Sequence, residues 1–522
     1  MKRSESERIQ EGVRSARNRK KNKEQPLQSP KPKKKKKQKQ KQDTQSFQET
    51  TLIALNKKSN REIAVVTYIF LFLFVFMTGY VMFFLSKDKD QILNNPQNRR
   101  QDLLAERVIK GNIQSADGTV LAKTVTGSDG KEKREYPFDG LFAHVVGRTT
   151  HGRTGIEASE SFTLLNSSIN PVTAVVNSLK GKKNPGDNVV TTLNVDLTRI
   201  ASEALGNRKG AVVVMDPSDG SILTMVSKPT YNPNYIAERW EKLINSADSS
   251  ALYNRATQGL YPPGSTFKLY TLLEYMRENK DYKKFTYNCK GKIGTDSESI
   301  HCYGNTVHGK LDLDTAFAKS CNSAFAEIGK GLSTSSWTKL CEKFYYNKTM
   351  PISEVEQKSA RFDLSGLGTG DIMQASIGQG DVLTSPLQNI FLVNAVMNNG
   401  TLVKPRLVDH ISDTYGNVIS KREPEELSAS ISKKEVKALK EAMSATVSRG
   451  TATALQSSNY SAGGKTGSAE FKEGSNDSHA WFVGYAKQGK KCLTISVIVE
   501  GAGTGGAHAV PIARRIFDAY FM

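Results

Sequence analysis

Three short segments carry the residue types of a serine acyl-transfer site: Ser265-Thr266-Phe267-Lys268, Ser320-Cys321-Asn322 and Lys465-Thr466-Gly467, in that order along the chain. A serine hydroxyl is a weak nucleophile until a neighbouring base takes its proton. Ser265 and Lys268 are three apart, so a helix puts them on one face. For Lys268 to act as that base near neutral pH, its pKa must fall from about 10.4 to about 7–8, an environmental bias of about 3–4 kcal/mol. Burial supplies such a bias, and so does a second cation such as Lys465. Tyr261-Pro262-Pro263-Gly264 reads as a stiff turn that launches the helix. Ser265 then sits at a helix N-terminus, where unpaired N–H groups favour developing negative charge. An S-x-x-K match alone arises by chance about twice in a chain this long. The ordered triple, with gaps of 55 and then 145 residues, carries far more information.

The elements that must present these residues begin with a membrane anchor. The 522-residue chain has a formal net charge of +21, and residues 1–62 hold 20 Lys/Arg against 7 Asp/Glu. The run Lys31-Pro32-Lys33-Lys34-Lys35-Lys36-Lys37 has no apolar surface to bury, so this tail is expected to be disordered. A nucleic-acid or nuclear-address reading of the basic run is set aside, because residues 63–85 follow at once as 23 uncharged residues. At 1.5 Å per residue they span about 35 Å, enough for a hydrocarbon core of about 30 Å. The stretch is too long and too far from Met1 for a cleaved leader. Lys and Arg crowd its N-terminal side, which places that side in the cytoplasm and the remainder of the chain outside, on a single anchor. The Lys cluster is expected to touch anionic head groups.

Residues 86–187 read as a short extracytoplasmic pedestal. Its expected elements are a helix over 96–107, strands near 108–113 and 118–122, a polar loop at 127–133 and a strand at 141–147, with Asn184-Pro185-Gly186-Asp187 as a closing turn. Residues 188–522 form the larger domain. Helical periodicity covers 196–204, and strands are expected at 211–215, 222–226, 480–486 and 493–500, before a closing helix at 511–521. Strands at both ends around a helical middle give an α+β fold with one sheet built from both termini.

The chain resembles the class B penicillin-binding proteins, the membrane-anchored cell-wall transpeptidases of bacteria, over about residues 100–522. Beside the three motifs, the resemblance rests on 210–217 (Gly-Ala-Val-Val-Val-Met-Asp-Pro), on Ile377-Gly378-Gln379-Gly380, Gly450-Thr451-Ala452 and Ala480-Trp481-Phe482-Val483-Gly484-Tyr485, and on Asp117-Gly118-Thr119-Val120-Leu121-Ala122 in the pedestal. It implies a five-stranded antiparallel sheet flanked by helices, with an all-helical subdomain and the site between them. Two departures stand out. The pedestal is short for the class, and Ser468 follows Gly467 where Thr is commoner.

The resemblance further implies that Ser265 attacks the penultimate D-Ala carbonyl of a peptidoglycan stem peptide, or a β-lactam, and forms an acyl-enzyme. Lys268 is then the base, Ser320 a proton relay, Asn322 the group orienting Lys268 and the substrate amide, and Lys465 with Thr466 the recognition pair for the terminal carboxylate. Gly467 allows close approach, and the backbone N–H groups of Ser265 and Ser468 form the oxyanion hole. A second stem amine gives a cross-link. Water gives a D,D-carboxypeptidase or a β-lactamase-like hydrolase, which needs a positioned base such as the Glu of class A enzymes. A non-catalytic β-lactam sensor or scaffold is the other alternative. The roughly 100 residues between anchor and catalytic domain are too few for a glycosyltransferase module, so glycan polymerisation falls to a partner, by resemblance a multispanning membrane polymerase. No cofactor is required for this chemistry.

Of five cysteines, Cys321, Cys341 and Cys492 read as packing residues. Cys289 and Cys302 flank a polar loop, with His308 six residues on. Three readings stay open: a disulfide, two free thiols, or a structural zinc held by Cys289, Cys302, His308 and a fourth ligand, His301 or an acid such as Asp296. The glycine run 501–506 lacks the βαβ context of a nucleotide loop, the glycines at 366–370 read as a loop, and His479 reads as structural more readily than as a cleft residue.

Overall fold

The computed structural model describes residues 36–93, 100–245, 249–295, 298–470 and 477–522, and the chain divides into two compact units, Met1–Lys87 and Asp88–Met522. In the first, the 58-residue helix Lys36–Leu93 carries the apolar segment. Within its stretch Thr44–Leu85, 18 consecutive residues reach a mean hydropathy of 2.3, long and apolar enough to cross a membrane. Residues 36–62, expected to be disordered, are helical. They are rich in Gln, Lys and Glu, which are good helix formers, and they extend a helix that the apolar segment has already nucleated. Most of the expected disordered tail, residues 1–35, lies outside the described residues, as does Pro96; the helix expected over 96–107 is seen as Arg100–Ala105.

In the second unit, a six-stranded sheet runs in the order Val418–Lys421, Val408–Ser412, Asn188–Thr191, Ile113–Gln114, Val120–Thr126, Glu132–Glu135. Ile113 pairs parallel with Val189, and the other neighbours are antiparallel. Residues on both sides of position 187 therefore share one sheet, and its far edge is a hairpin from beyond residue 400. The strand expected at 141–147 is instead a helical turn, Ala143–Val146, that buries Ala143, Val145 and Val146. A short, continuous apolar run carries no period with which to separate the two. Asn184–Pro185, read as a turn, pairs parallel with Val108–Ile109.

One buried carboxylate ties this layer together. Glu157, on the Gly155–Ser159 helix, is fully buried. It meets Lys110 Nζ at 2.6 Å and Arg134 Nε at 2.6 Å. Arg134 also donates to the Gly111 carbonyl at 2.7 Å and to Thr124 Oγ1 at 3.0 Å. Burial pushes the Glu157 carboxyl up, but Arg134 and Lys110 outweigh it and hold it below the usual carboxylate range.

The larger sheet is five-stranded and antiparallel, in the order Ser461–Glu470, Ser478–Gln488, Lys491–Val499, Gly210–Met215, Ile222–Lys228. It joins the two ends of the domain, with Val497 opposite Val212. Alternation sorts its faces. Val212, Val214, Phe482 and Ile495 pack under the helices Val195–Leu205 and Gly505–Phe521, and Val213, Met215, Trp481 and Val483 face the helical half. The closing helix starts at Gly505, six residues before the expected start, and carries Pro511 inside it. The helical half centres on Lys268–Glu278, surrounded by Asn322–Lys330, Thr334–Lys343, Thr369–Ser376 and Lys433–Arg449.

Glu157→Ala strands Lys110 and Arg134 without a counter-charge in the interior. It is expected to cost about 3–5 kcal/mol, read as a lower midpoint of denaturant unfolding, with Glu157→Gln intermediate.

Candidate active site

The three motifs meet where the helical half abuts the Ser461–Glu470 strand. Ser265 lies on a 3₁₀ turn, Gly264–Phe267, which runs directly into the Lys268–Glu278 α-helix. The tighter turn keeps residues three apart in line, so Ser265 and Lys268 share an edge as the spacing required. Phe267 fastens the turn from below: its ring lies 5.1 Å from Phe362, 5.3 Å from Tyr270 and 5.8 Å from Tyr346. Ser265 itself is half-buried.

Lys268 is fully buried. Its Nζ donates to Asn322 Oδ1 at 2.7 Å and to the Ser320 carbonyl at 3.0 Å, with Ser320 Oγ at 3.4 Å. An uncharged amine has two N–H groups, which those two acceptors occupy, and it keeps a lone pair for an incoming proton. Burial is the main cause that brings Lys268 down to about 7. Lys465, also fully buried, donates to the Thr466 carbonyl at 3.0 Å. It is pushed well below the ordinary lysine value by burial first and by Lys268 second. Desolvation lowers Lys268 against a smaller raising influence from Cys321 and Cys302.

Ser320 sits in the left-handed region, at φ +57°. A non-glycine residue held there is strained. The turn ends the Leu313–Ala318 helix and aims the Ser320 carbonyl at Lys268 before Asn322 opens the next helix. Asn322 is itself held, since its Nδ2 donates to the His301 carbonyl at 2.9 Å.

Three residues outside the motifs position them. Trp481 Nε1 donates to the Pro262 carbonyl at 3.0 Å, fixing the neighbouring strand to the turn ahead of Ser265. Thr451 Oγ1 lies 2.5 Å from Thr466 Oγ1. Gly378 (φ +74°) accepts the Gly264 N–H at 2.8 Å, and a Cβ on it would come within 2.2 Å of the Gly264 carbonyl. The segments 377–380 and 450–452 entered the sequence reading through resemblance alone, and 480–485 as part of an expected strand; the contacts now give each a task. At Gly467 a Cβ would meet the Pro263 carbonyl at 2.9 Å and Trp481 Cβ at 3.0 Å. Ser468, next along, is half-buried, and its carbonyl lies against Gly264. His479 lies behind the turn, 5.3 Å from the Tyr261 ring, and its Nδ1 accepts the Gly501 N–H at 3.2 Å.

Behind the Ser-Cys-Asn turn is a cluster that the sequence reading assembled only in part. Cys289 and Cys302 have their sulfurs 3.7 Å apart, and Cys289 Sγ lies 3.4 Å from His308 Nδ1. The fourth member is Cys321, with its sulfur 3.7 Å from that of Cys302. All four donor atoms lie within 4.8 Å of one another. Cys321 was expected to be a packing residue. His301, the expected alternative, is exposed and engages Ser299 and Asn305, and Asp296 lies outside the described residues. Five unbonded thiols are present, with Cys341 buried in a helix and Cys492 half-buried on a strand. The missed signal was the sulfur between Ser320 and Asn322, thirteen residues after His308 as Cys302 is thirteen after Cys289. The donor set suits zinc. A tetrahedron with zinc–sulfur bonds of about 2.3 Å has edges of about 3.8 Å, close to the two sulfur spacings observed.

The penicillin-binding-protein transpeptidase domain model matches residues 210–518. The chain belongs to the penicillin-binding transpeptidase family. A second model, the dimerisation domain of penicillin-binding protein A, matches residues 110–189 of this transpeptidase. It is 30% identical to the peptidoglycan D,D-transpeptidase PbpA of Mycolicibacterium smegmatis, over 82% of this chain and 92% of that one. Among solved structures it resembles the D,D-transpeptidase domain of a peptidoglycan glycosyltransferase from Eggerthella lenta (28% identity, TM-score 0.71, 79% of this chain and 98% of that one). It also resembles penicillin-binding protein A of M. tuberculosis in a ceftriaxone acyl-enzyme complex (25% identity, TM-score 0.73, 81% and 100%).

Gly467→Val forces the strand off the Ser265 turn. Acylation by a fluorescent penicillin is expected to slow by about 10²-fold, with the circular dichroism of the fold unchanged.

Proposed function

We propose that the chain is a peptidoglycan D,D-transpeptidase in which Ser265 is the nucleophile and Lys268 the base. The observation that carries this reading is the buried, two-acceptor setting of Lys268, one helical turn from a half-buried serine at the mouth of a glycine-lined strand. Ser265 Oγ attacks the penultimate D-Ala carbonyl while its proton passes to Lys268 Nζ. The tetrahedral oxyanion is received by the backbone N–H groups of Ser265 and Ser468. As the C–N bond breaks, the proton returns to the leaving D-Ala amine through Ser320 Oγ, which lies 3.4 Å from Lys268 Nζ. The second N–H of the Asn322 amide, beyond the one given to His301, is suited to the substrate carbonyl. Lys465 and Thr466 receive the terminal carboxylate, whose charge favours a protonated Lys465. The amine of a second stem then attacks the ester carbonyl and gives a proton to Lys268; the C–O bond to Ser265 breaks, Lys268 returns the proton to Ser265 Oγ, and the cross-link forms with the free serine restored.

The basic flank ahead of residues 63–85 supports a single-pass topology with the N-terminus in the cytoplasm and the site outside, at the bacterial cytoplasmic membrane. Glycan strands are supplied by a separate multispanning membrane polymerase. Cys289, Cys302, Cys321 and His308 hold a structural zinc ion. When bound it gives the Ser-Cys-Asn turn a rigid backing, and the acyl-transfer chemistry does not pass through it.

A fluorescent penicillin is expected to label the protein covalently and persistently, and Ser265→Ala to abolish the label; labelling that survives in the variant, or release within seconds, would overturn the assignment. Because the base is active only uncharged, acylation should fall about tenfold per pH unit on the acid side and level off above a midpoint near 7, the value to which burial brings Lys268. For the metal, elemental analysis should find about one zinc per chain, lost in Cys321→Ser and on chelation, with a lower unfolding midpoint. Metal-free protein whose thiol count shows a disulfide would refute the zinc reading and leave the acyl-transfer reading standing.

A further inference from the structure

The helix Pro171–Leu179 has no buried residue. Asn170 caps it, accepting the Val172 N–H at 2.9 Å, and Pro171 occupies its first position, so its helical form is well specified. Its apolar residues nevertheless face outward: Val172 is 71% exposed, Val175 59%, Val176 39% and Leu179 83%. Their spacing of i, i+3, i+4, i+7 makes one continuous stripe. Four aliphatic side chains in a row on water are costly unless something covers them.

The stripe lies where the chain arrives from its anchor. Directly after the helix, Lys183 Nζ donates to the Ala105 carbonyl at 2.7 Å and the Asn184 N–H to the Arg107 carbonyl at 2.9 Å. Asn184 then pairs with Val108. Ala105 ends the short helix Arg100–Ala105, on which Leu103 is 61% exposed. Only 14 residues separate Leu85, the last of the apolar segment, from Arg100, and they reach about 50 Å at most. Lys180 and Lys182, both exposed, adjoin the stripe. An apolar stripe with lysines at its end is the pattern of a helix lying in a lipid interface, where the lysines meet phosphates. The helix lies within residues 110–189, which match a dimerisation-domain model, so a second copy is the competing occupant; four small side chains, however, fall short of the about 800 Å² that each partner of a standard interface buries.

We propose that the helix Pro171–Leu179 is an interfacial anchor that lies on an anionic phospholipid surface through Val172, Val175, Val176 and Leu179, with Lys180 and Lys182 on the phosphates. The proposal rests on the reading of residues 63–85 as a membrane anchor and adds a second membrane contact to it. That contact fixes the orientation of the pedestal, which a single tether leaves open.

The test uses the full chain, one copy per nanodisc of mixed phosphatidylglycerol and phosphatidylcholine, carrying Val176→Trp. The emission added over the parent protein is expected to lose about half its intensity with lipids brominated near the head of the acyl chain, and to resist aqueous iodide. Adding Leu179→Glu should restore iodide access, and Lys180→Gln with Lys182→Gln should weaken bromine quenching in phosphatidylglycerol discs only. Emission that stays open to iodide and blind to bromine overturns the proposal. So does shielding that appears only with two copies per disc, which assigns the stripe to self-association. Fluorescent penicillin labelling in the same discs reports folding, and failure of the chain to enter discs reports on the anchor segment; neither is confused with the fate of the stripe.

Discussion

The fold is organised around a lysine amine that must be both buried and uncharged. Lys268 is enclosed on every side, with Asn322 Oδ1 and the Ser320 carbonyl taking its N–H groups and the Phe325 ring 5.4 Å from its Nζ. Charging it there means removing an ammonium from water, which is why desolvation dominates its titration. That requirement sets what can surround it. The aromatic cluster around Phe267 excludes water from below, the Ser-Cys-Asn turn supplies neutral acceptors in place of carboxylates, and Lys465 approaches as a second, equally desolvated amine. A carboxylate in either acceptor position would hold Lys268 charged and leave it without a lone pair.

The Ser-Cys-Asn turn divides three tasks among three consecutive residues. Ser320 turns its carbonyl toward the amine at the expense of a left-handed backbone, a strain of about 1–3 kcal/mol. Cys321 points the other way, into the sulfur cluster. Asn322 reaches back to Lys268 and is held by the His301 carbonyl. His301 belongs to the same excursion, 289–308, that supplies the other three members of the cluster. The loop and the turn therefore brace each other, one through sulfur and the other through an amide. Zinc at the cluster would convert a packed contact into a fixed one, a structural role that leaves the acyl-transfer chemistry untouched.

Much of this was readable in advance where local pattern decides. The three motifs, four strands of the catalytic sheet and the helix Val195–Leu205 follow from spacing and period, whereas the five-stranded antiparallel arrangement entered only as what the family resemblance implies. The readings that changed share a cause, which is that the deciding partner is remote in sequence. Cys321 has the chemistry of a small buried hydrophobe until three ligands up to 32 residues away come beside it. The apolar run at 141–147 is as compatible with a helical turn as with a strand until the layer that covers it is known. Nothing in the local sequence of Val408–Ser412 says that it pairs with Asn188–Thr191. Glu157 was passed over because a lone Glu in a loop-rich segment is ordinarily solvated; only the convergence of Lys110 and Arg134 makes it a keystone.

That remote pairing changes what the pedestal is. A stalk joined to the catalytic domain by one strand could swing freely. Here the sheet takes a strand at 188–191 on the way into the domain and a hairpin at 408–421 that interrupts the helical half before Lys433–Arg449. The junction is pinned again by Arg406, which meets Asp219 at 2.6 Å and Asp409 at 2.7 Å, and by Thr192 Oγ1, which donates to the Ile222 carbonyl at 2.7 Å. Asp219 lies in the turn between the first two strands of the catalytic sheet. An orientation imposed on the pedestal is thus carried into the sheet that bears Lys465, and from there through Trp481 and Pro262 to Ser265. Two contacts on the bilayer, the anchor and the proposed interfacial helix, would give such a body a defined height and facing. An enzyme that joins two polymeric substrates, neither of which can diffuse to it freely, gains more from that geometry than a hydrolase of small molecules would.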